Sequence, residues 1–488
     1  MYVKKERDVL RNPEIMSMED MVPGTHLVRK LERAIDWNFI REEVDHLYSP
    51  IEWGRPGIDP VVLFKLVILQ YTFGIRSMRQ TLAETEVNVA YRWFIGYGMN
   101  EKIPHFSTFS KNYTRRFKDT DVFEKIFVHI LMEAVSSGHV DARDIFIDGT
   151  HIKASANKNK KVKVQATAAV KAYQEELDKE IAADREAHGK KPLKNNDQND
   201  PDDDTPEGGG NSVEDSSEKT VIQSTTDPES GMFCKGEHER QFAYIANTAC
   251  DRHNFVLGFH VGAGNIHDNQ MFHHVYQNVL KRFPQIEAVA IDAGYKTPGI
   301  MKEIIDSNRI PCVPYTRPHT PDGYFPKAEY VYDEYHDCYL CPQNQILKYS
   351  TTNRDGYREY KSDPDICKNC PCLQQCTQSK AHQKIVTRHV WAAYSEKAEE
   401  YRQTYKYQDI YRNRKKTIER VFADAKEKHG LRFTQLRGLA KVQMQVTLTF
   451  ACMNLKKLAT WRYWGMDLSY HSSFLPSFLS IFSLASFS

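Results

Sequence analysis

The chain has 488 residues, 41% of them hydrophobic and 27% charged, an ordinary balance for a folded soluble protein. At ~100–200 residues per domain this length points to two to four domains with ample material for a core. Sixty-six Lys and Arg stand against 64 Asp and Glu, a formal net charge of +2; that excludes a wholly basic coat protein and a wholly acidic disordered chain, but not nucleic-acid binding, because local charges of opposite sign cancel in the total.

The N-terminal stretch MYVKKERDVL lacks the apolar segment of a secretory signal. The longest apolar run of the first half, Val61 to Phe73, is interrupted by Lys65 and is shorter than the ~20 residues of a membrane span. Residues 1–135 read as helices. Asp59-Pro60 is a helix start, with Asp as N-cap and Pro at the first helical position, and Val61–Tyr71 is apolar nearly all round, as in a core helix. Ser77 and Gln80 form a capping box for a helix through Thr85. Ser107 opens a short helix, FSTFSKNYTRRF, that carries Lys111, Arg115 and Arg116. Short helices ending in a basic, hydroxyl-rich one resemble a helix-turn-helix DNA reader; a helical packing domain with an exposed basic helix fits the same residues.

From Asp144 the pattern changes. Ile145-Phe146-Ile147 reads as a buried strand ending at Asp148-Gly149-Thr150, and further strands follow at Phe242–Cys250, Phe255–Val261, Glu287–Ile291 and Ile310–Val313. Helical patterns at His267–Arg282 and Thr297–Asn308 alternate with them, which predicts an α/β domain with a mixed sheet whose first part covers 140–316. Residues 155–220 interrupt it. They contain a segment that can be helical, Ala166–Glu186, and an acidic Asn/Asp/Gly/Ser-rich stretch expected to be disordered.

A second interruption, 317–400, holds six of the ten cysteines in the pattern Cys338-x2-Cys341 and Cys367-x2-Cys370-x-Cys372-x3-Cys376. Two CxxC pairs separated by 25 residues resemble a zinc ribbon, although six thiols exceed the four that one structural Zn²⁺ needs. Clustered cysteines without a signal point to a reducing cytosol and a metal. Residues 401–462 read as helices again. From Tyr401 to Lys441 twelve Lys and Arg face four acids, a local excess of +8. The closing segment 463–488 is apolar with scattered serines, and a packed tail or a frayed end of an imperfect reading frame fits it better than a membrane anchor.

Three acids stand out. Asp148 and Asp292 each follow an apolar strand, and strand ends in α/β sheets are where sites form. Glu419 lies in the basic helix RNRKKTIERVFADAKEKHG, where steps of 4 and 7 residues place Lys415, Glu419 and Lys426 on one face. An apolar face at Ile418, Val421, Phe422 and Ala425 predicts packing of that helix on the sheet. Phosphoryl transfer suits such a set: two Mg²⁺ ions ~3.5–4 Å apart can activate an attacking oxygen and stabilise the leaving one, carboxylates are their preferred ligands, and neighbouring lysines can bind phosphates.

These residues, in FIDGTHIKA, AIDAGYKT and a Lys-rich helix, resemble the DDE transposases of bacterial insertion sequences, closest to the group named for insertion sequence 1182. The resemblance runs from about Met18 to Leu458 and includes TDPESGMFCKG (226–236), AYIANTACD (243–251), VGAGNIHD (261–268) and KEKHGLRFTQLRGL (426–439). It implies an RNase H-like catalytic core, a mixed sheet flanked by helices, to which the residues themselves add the N-terminal all-α domain, read as DNA-binding, and the inserted zinc-ribbon-like module. It further implies Asp148, Asp292 and Glu419 as catalytic ligands of two Mg²⁺ or Mn²⁺ ions. In that family a Tyr–Arg–Glu–Lys signature surrounds the Glu; Lys415, Glu419 and Lys426 match its last three members, with Lys in place of Arg, and Tyr411 is one residue off. His267 and Asp268 match a recurrent stretch, where Asp268 reads as a helix N-cap. The implied activity is DNA strand cleavage and strand transfer in the cytoplasm. Its partners are double-stranded DNA, at terminal inverted repeats and at the target, and a second copy of the chain in a synaptic complex, with no membrane partner.

Overall fold

The computed structural model describes residues 15–48, 57–165, 173–193, 220–235, 239–318 and 320–464. The acidic stretch, the beginning of the expected helix at Ala166 and the apolar tail after residue 464 lie outside them. The chain divides into two compact units, one made of Met1–Lys160, Ser224–Asn265 and Lys415–Ser488, the other of Lys161–Gln223 and Ile266–Arg414.

In the first unit every regular element described before Asp144 is helical. The helix Pro60–Thr72 begins where expected: the Asp59 carboxylate accepts the Val61 N–H at 2.9 Å, and Pro60, which has no N–H to satisfy, takes the first position. Its apolar circumference is enclosed by the helices Phe39–Val44, Met78–Val87, Val89–Ile95 and Leu439–Tyr463. Lys65, the charge inside the apolar run, is buried but held by both Glu32 oxygens at 2.7 and 2.8 Å, and its ammonium stands over the rings of Trp37 and Phe94. A buried ammonium costs several kcal/mol unless it is paired in this way. No helix among the described residues is long and apolar enough to cross a membrane.

Ser77 caps the next helix by accepting the Gln80 N–H, and that helix runs on to Val87. The helix Ser107–Asn112 passes into a π-turn, Tyr113–Phe117. Tyr113 and Phe117 are buried, with Phe117 against Phe64 and Phe123, which turns Lys111 and Arg115 outward.

The strand Asp144–Lys153 pairs antiparallel with the long strand Glu239–Asp251, which also pairs with Gly231–Lys235 and Val256–Ala263. The 25-residue helix Leu439–Tyr463 packs against Leu27–Ala34, Pro60–Thr72, Val122–Ser136 and the strand Val256–Ala263. Its buried Asn454 acts as a surrogate strand: the side chain accepts the Val256 N–H and donates to the Val256 carbonyl, both at 2.9 Å. Two backbone groups that would otherwise be buried unpaired are satisfied there.

In the second unit the strands Ala288–Ala290 and Ile310–Cys312 are parallel and joined through the helix Pro298–Asp306, the crossover that parallel strands require. Thr297 is the cap of that helix rather than its first residue. A five-stranded antiparallel sheet follows, in the order Ile385–His389, Tyr357–Lys361, Ile346–Thr352, Cys338–Leu340, Val331–Asp333. Its core is tyrosine-rich, with Tyr330, Tyr339, Leu347, Tyr360 and Val386 buried together. The insertion is more than a linker. Its helix Gln174–Ala187 docks on this sheet, Asp184 pairing with Arg358 at 2.6 Å and Arg185 donating to Thr351 Oγ1 and the Thr352 carbonyl.

The basic helix expected over RNRKKTIERVFADAKEKHG is broken: Tyr405–Asn413 and Ile418–Lys428 are separated by a 3-10 turn at Arg414–Lys416. Thr417, at φ −111 and ψ −96, breaks the helical path.

Candidate active site

Asp148 lies within its strand, not at the end. Asp-Gly reads as a turn dipeptide, yet the ladder continues past it: Asp148 faces Thr248, Gly149 faces Asn247, and pairing runs on to Lys153 opposite Ala243. The half-buried carboxylate accepts its own neighbour's N–H, from Gly149 at 2.8 Å.

Glu419 is the second residue of Ile418–Lys428, exposed, in the first turn, where the helix dipole favours an acid. Ile418, Val421, Phe422 and Ala425 are buried and seat this helix on the strands Asp144–Lys153 and Glu239–Asp251 and on the long C-terminal helix. Asp148 and Glu419 thus sit on two elements of one unit that pack against each other. Lys426, seven residues after Glu419 and on the same helix face, lines a cavity of about 510 Å³ together with Arg432, Lys441, Tyr71 and Phe106.

Lys415 departs from its expected place. It is in the 3-10 turn, ahead of the Thr417 break, so the helical step that would set it beside Glu419 does not apply.

Asp292 belongs to the other unit. Ile291 N–H donates to the Cys312 carbonyl at 3.0 Å, so Asp292 is the first residue past the parallel pairing and caps the 3-10 turn Ala293–Tyr295. Its carboxylate, about half exposed at 49%, lies 3.2 Å from Arg414 Nη1, whose side chain is only 9% exposed. Arg414, which the sequence reading did not name, is thus the cation beside Asp292. Tyr411 and Arg414 are three residues apart, each one residue ahead of the spacing that the signature expects.

Among the described residues no group of three or more His, Cys, Asp or Glu is placed to hold a metal ion. The six clustered cysteines separate into two sets. Cys338 is buried in its strand, whereas Cys341, Cys367, Cys370, Cys372 and Cys376 line one cavity in the second unit. All ten cysteines are free thiols. His267, not Asp268, occupies the cap position of the helix Asp268–Arg282.

The basic residues near 111–116 differ in what holds them. Lys111 and Arg115 are exposed, whereas Arg116 stacks over the Tyr48 ring, 4.4 Å from its centroid, and bonds to Asn112.

Several of the motif stretches are joints. In KHGLRF the buried His429 bonds through Nδ1 to the Tyr71 carbonyl at 2.8 Å, and burial pushes its pKa down to about 4, keeping the ring neutral. Gly74 and Gly430 both have positive φ, and a Cβ on Gly74 would stand 2.7 Å from the Lys428 carbonyl oxygen. Thr434 N–H then donates to the Lys153 carbonyl at 2.8 Å, tying the segment to the Asp148 strand. In TDPES, Asp227 accepts the Gly438 N–H and Glu229 the Leu439 N–H, at 3.0 and 2.9 Å. Two carboxylates therefore serve the N-terminus of the long C-terminal helix, where N–H groups lack intrahelical partners.

Residues 340–459 match the family described as "Transposase DDE domain", and residues 16–115 match "Transposase domain (DUF772)". The first match contains Glu419, Lys426, Arg414 and the five cavity cysteines; the second contains Lys111 and Arg115; Asp148 and Asp292 lie outside both. No curated protein and no solved structure matches the chain.

Proposed function

Because the chain carries both transposase families and is on that ground an insertion-sequence DDE transposase, we propose that it binds the terminal inverted repeats of its element, cleaves a DNA strand at each end and joins the freed 3′-OH to target DNA. The observation that carries the reading is the packing of the Glu419 helix on the Asp148 strand, inside and beside the matched DDE segment. An RNase H-like core would add Asp292 after its parallel strand as the third carboxylate.

The donor set fits a hard divalent cation. Asp148 and Asp292 are partly accessible, Glu419 is exposed, and all three offer the oxygen ligands that Mg²⁺ or Mn²⁺ prefers. Two such ions, when bound, would supply charge neutralisation at the attacking and leaving oxygens. The chain's own residues do the rest. Lys426 and Lys415 engage DNA phosphates on either side of the reacting bond, and Arg414 keeps the Asp292 side chain oriented through its ion pair. The backbone that carries Asp148 is held by ladder pairing before and after it, which limits how far the carboxylate can move. Joining two ends calls for two copies of the chain on one synapse.

The N-terminal helices are assigned to the element ends, with Lys111 and Arg115 as phosphate contacts. Arg115→Ala should weaken binding to an end fragment several-fold and reduce the salt dependence by about one phosphate contact. Arg116→Ala should act on folding instead, because that guanidinium is engaged by Tyr48 and Asn112. End affinity titrated at several salt concentrations checks both; an unchanged salt slope for Arg115→Ala would remove the assignment.

A further inference from the structure

The cysteine cluster is left unused by DNA cleavage and joining. Its chemistry does not depend on the transposase reading. Five thiols from two stretches, Cys341 on one side and Cys367, Cys370, Cys372 and Cys376 on the other, line one small cavity beside the tyrosine core of the five-stranded sheet. All five are free thiols, groups that can pack as small hydrophobes but are distinguished by their capacity for oxidation and metal binding.

Several of the sulfurs meet polar groups. The Gln345 backbone N–H donates to Cys341 Sγ at 3.3 Å, across a turn in which Asn344 has a positive φ and its N–H bonds the Cys341 carbonyl. Tyr330 Oη lies 3.1 Å from Cys376 Sγ, and the Cys367 thiol donates to Ser362 Oγ at 3.2 Å. Hydrogen bonds at sulfur fix the side-chain orientation, as outer-shell groups do around a metal. Lys384, whose ammonium bonds the Cys376 carbonyl, adds a positive charge nearby.

We propose that this cavity is a structural Zn²⁺ site with Cys341, Cys367, Cys370 and Cys376 as its four ligands. Tetrahedral thiolate sites of this kind are closed and carry no catalytic position. Cys367-x2-Cys370 supplies the paired spacing, its turn closed by the Cys370 N–H to Cys367 carbonyl bond at 3.0 Å. Cys341 and Cys376 bring in the two remaining segments. Cys372 is the surplus thiol: it caps the short helix Leu373–Cys376, and its sulfur takes a side-chain donor from Gln343 instead. Cys338 is excluded because it lies in the strand, outside the cavity. The ligand set is therefore not the two complete CxxC pairs that the spacing suggests. The thiols are not yet gathered on one point, so closing the site takes side-chain rotation within the cavity they already line.

The test is metal analysis of the full chain purified without chelator, together with Co²⁺ substitution. About one zinc per chain is expected, and Co²⁺ should give the thiolate charge-transfer absorption and intense visible bands of a tetrahedral site. Cys341→Ser, Cys367→Ser, Cys370→Ser and Cys376→Ser should each lose the metal, while Cys338→Ser and Cys372→Ser retain it. Because a ligand variant can fail to fold, the Co²⁺ spectrum of the unaltered chain is decisive by itself. No stoichiometric zinc and no thiolate–Co²⁺ band would overturn the site, and retention by Cys370→Ser with loss by Cys372→Ser would overturn the ligand assignment.

Discussion

Glu419→Gln should abolish strand cleavage, by at least about a thousandfold, while affinity for element ends stays within about twofold of the unaltered chain. Glutamine keeps the shape and helix propensity of the side chain but not the anionic oxygen that a hard divalent cation needs. The position is exposed in the first turn of Ile418–Lys428, and the buried contacts of that helix come from Ile418, Val421, Phe422 and Ala425, so the fold has little to lose. Lys415→Ala should cost far less, since Lys415 lies off the helix and loses only a phosphate contact. Cleavage of a labelled end fragment in Mg²⁺, with binding measured on the same preparation, separates these effects. Mg²⁺-dependent nicking retained by the Gln variant would end the assignment of Glu419 as a metal ligand.

Gly74→Ala should destabilise the first unit by about 2–4 kcal/mol. Two costs add. The φ of +65° is unfavourable for any L side chain, by roughly 1–2 kcal/mol, and the new Cβ would stand 2.7 Å from the Lys428 carbonyl oxygen, which is fixed backbone. Gly96→Ala is the matched control. Its φ is +75° and nothing lies within 4 Å of the position, so only the conformational cost of roughly 1–2 kcal/mol remains. Denaturant midpoints of the two variants measure the difference. Equal losses would mean that the close approach of Gly74 to the end of the Glu419 helix contributes nothing.

The helix starts and the apolar strands of the α/β part were readable because their local signals agree with their packing, whereas the five-stranded sheet between Val331 and His389 was not foreseen. Asp59-Pro60 and Ser77 cap helices as their chemistry dictates, and the apolar strands fall within a few residues of their expected bounds. The site was less legible. Asp-Gly at 148–149 looks like a turn, and only pairing with a distant strand, Asn247 and Thr248, keeps it extended. Glu419 could be placed from its amphipathic helix, but a continuous run of charged residues concealed the break at Thr417, so Lys415 was expected on the Glu419 face and the pairing of Arg414 with Asp292 went unforeseen. The motif stretches KHGLRF and TDPES resembled functional signatures, and much of their pattern is structural: a neutral buried His429, a glycine contact, and carboxylates on a helix end. Among the cysteines, spacing named the group but not its members, because burial of Cys338 in a strand is a tertiary fact.

The most direct test of the central claim is strand transfer with pre-cleaved ends. The full chain is incubated in Mg²⁺ with labelled fragments that carry the inverted repeat from the DNA flanking its coding region and end in a 3′-OH, together with a supercoiled target plasmid. Covalent joining of the label to the plasmid, dependent on Mg²⁺ and on the repeat sequence, is the predicted result. Hydrolysis of end fragments without any joined product would make the protein a nuclease, and binding with neither reaction would make it a DNA-binding derivative; either result contradicts the proposed transposase activity.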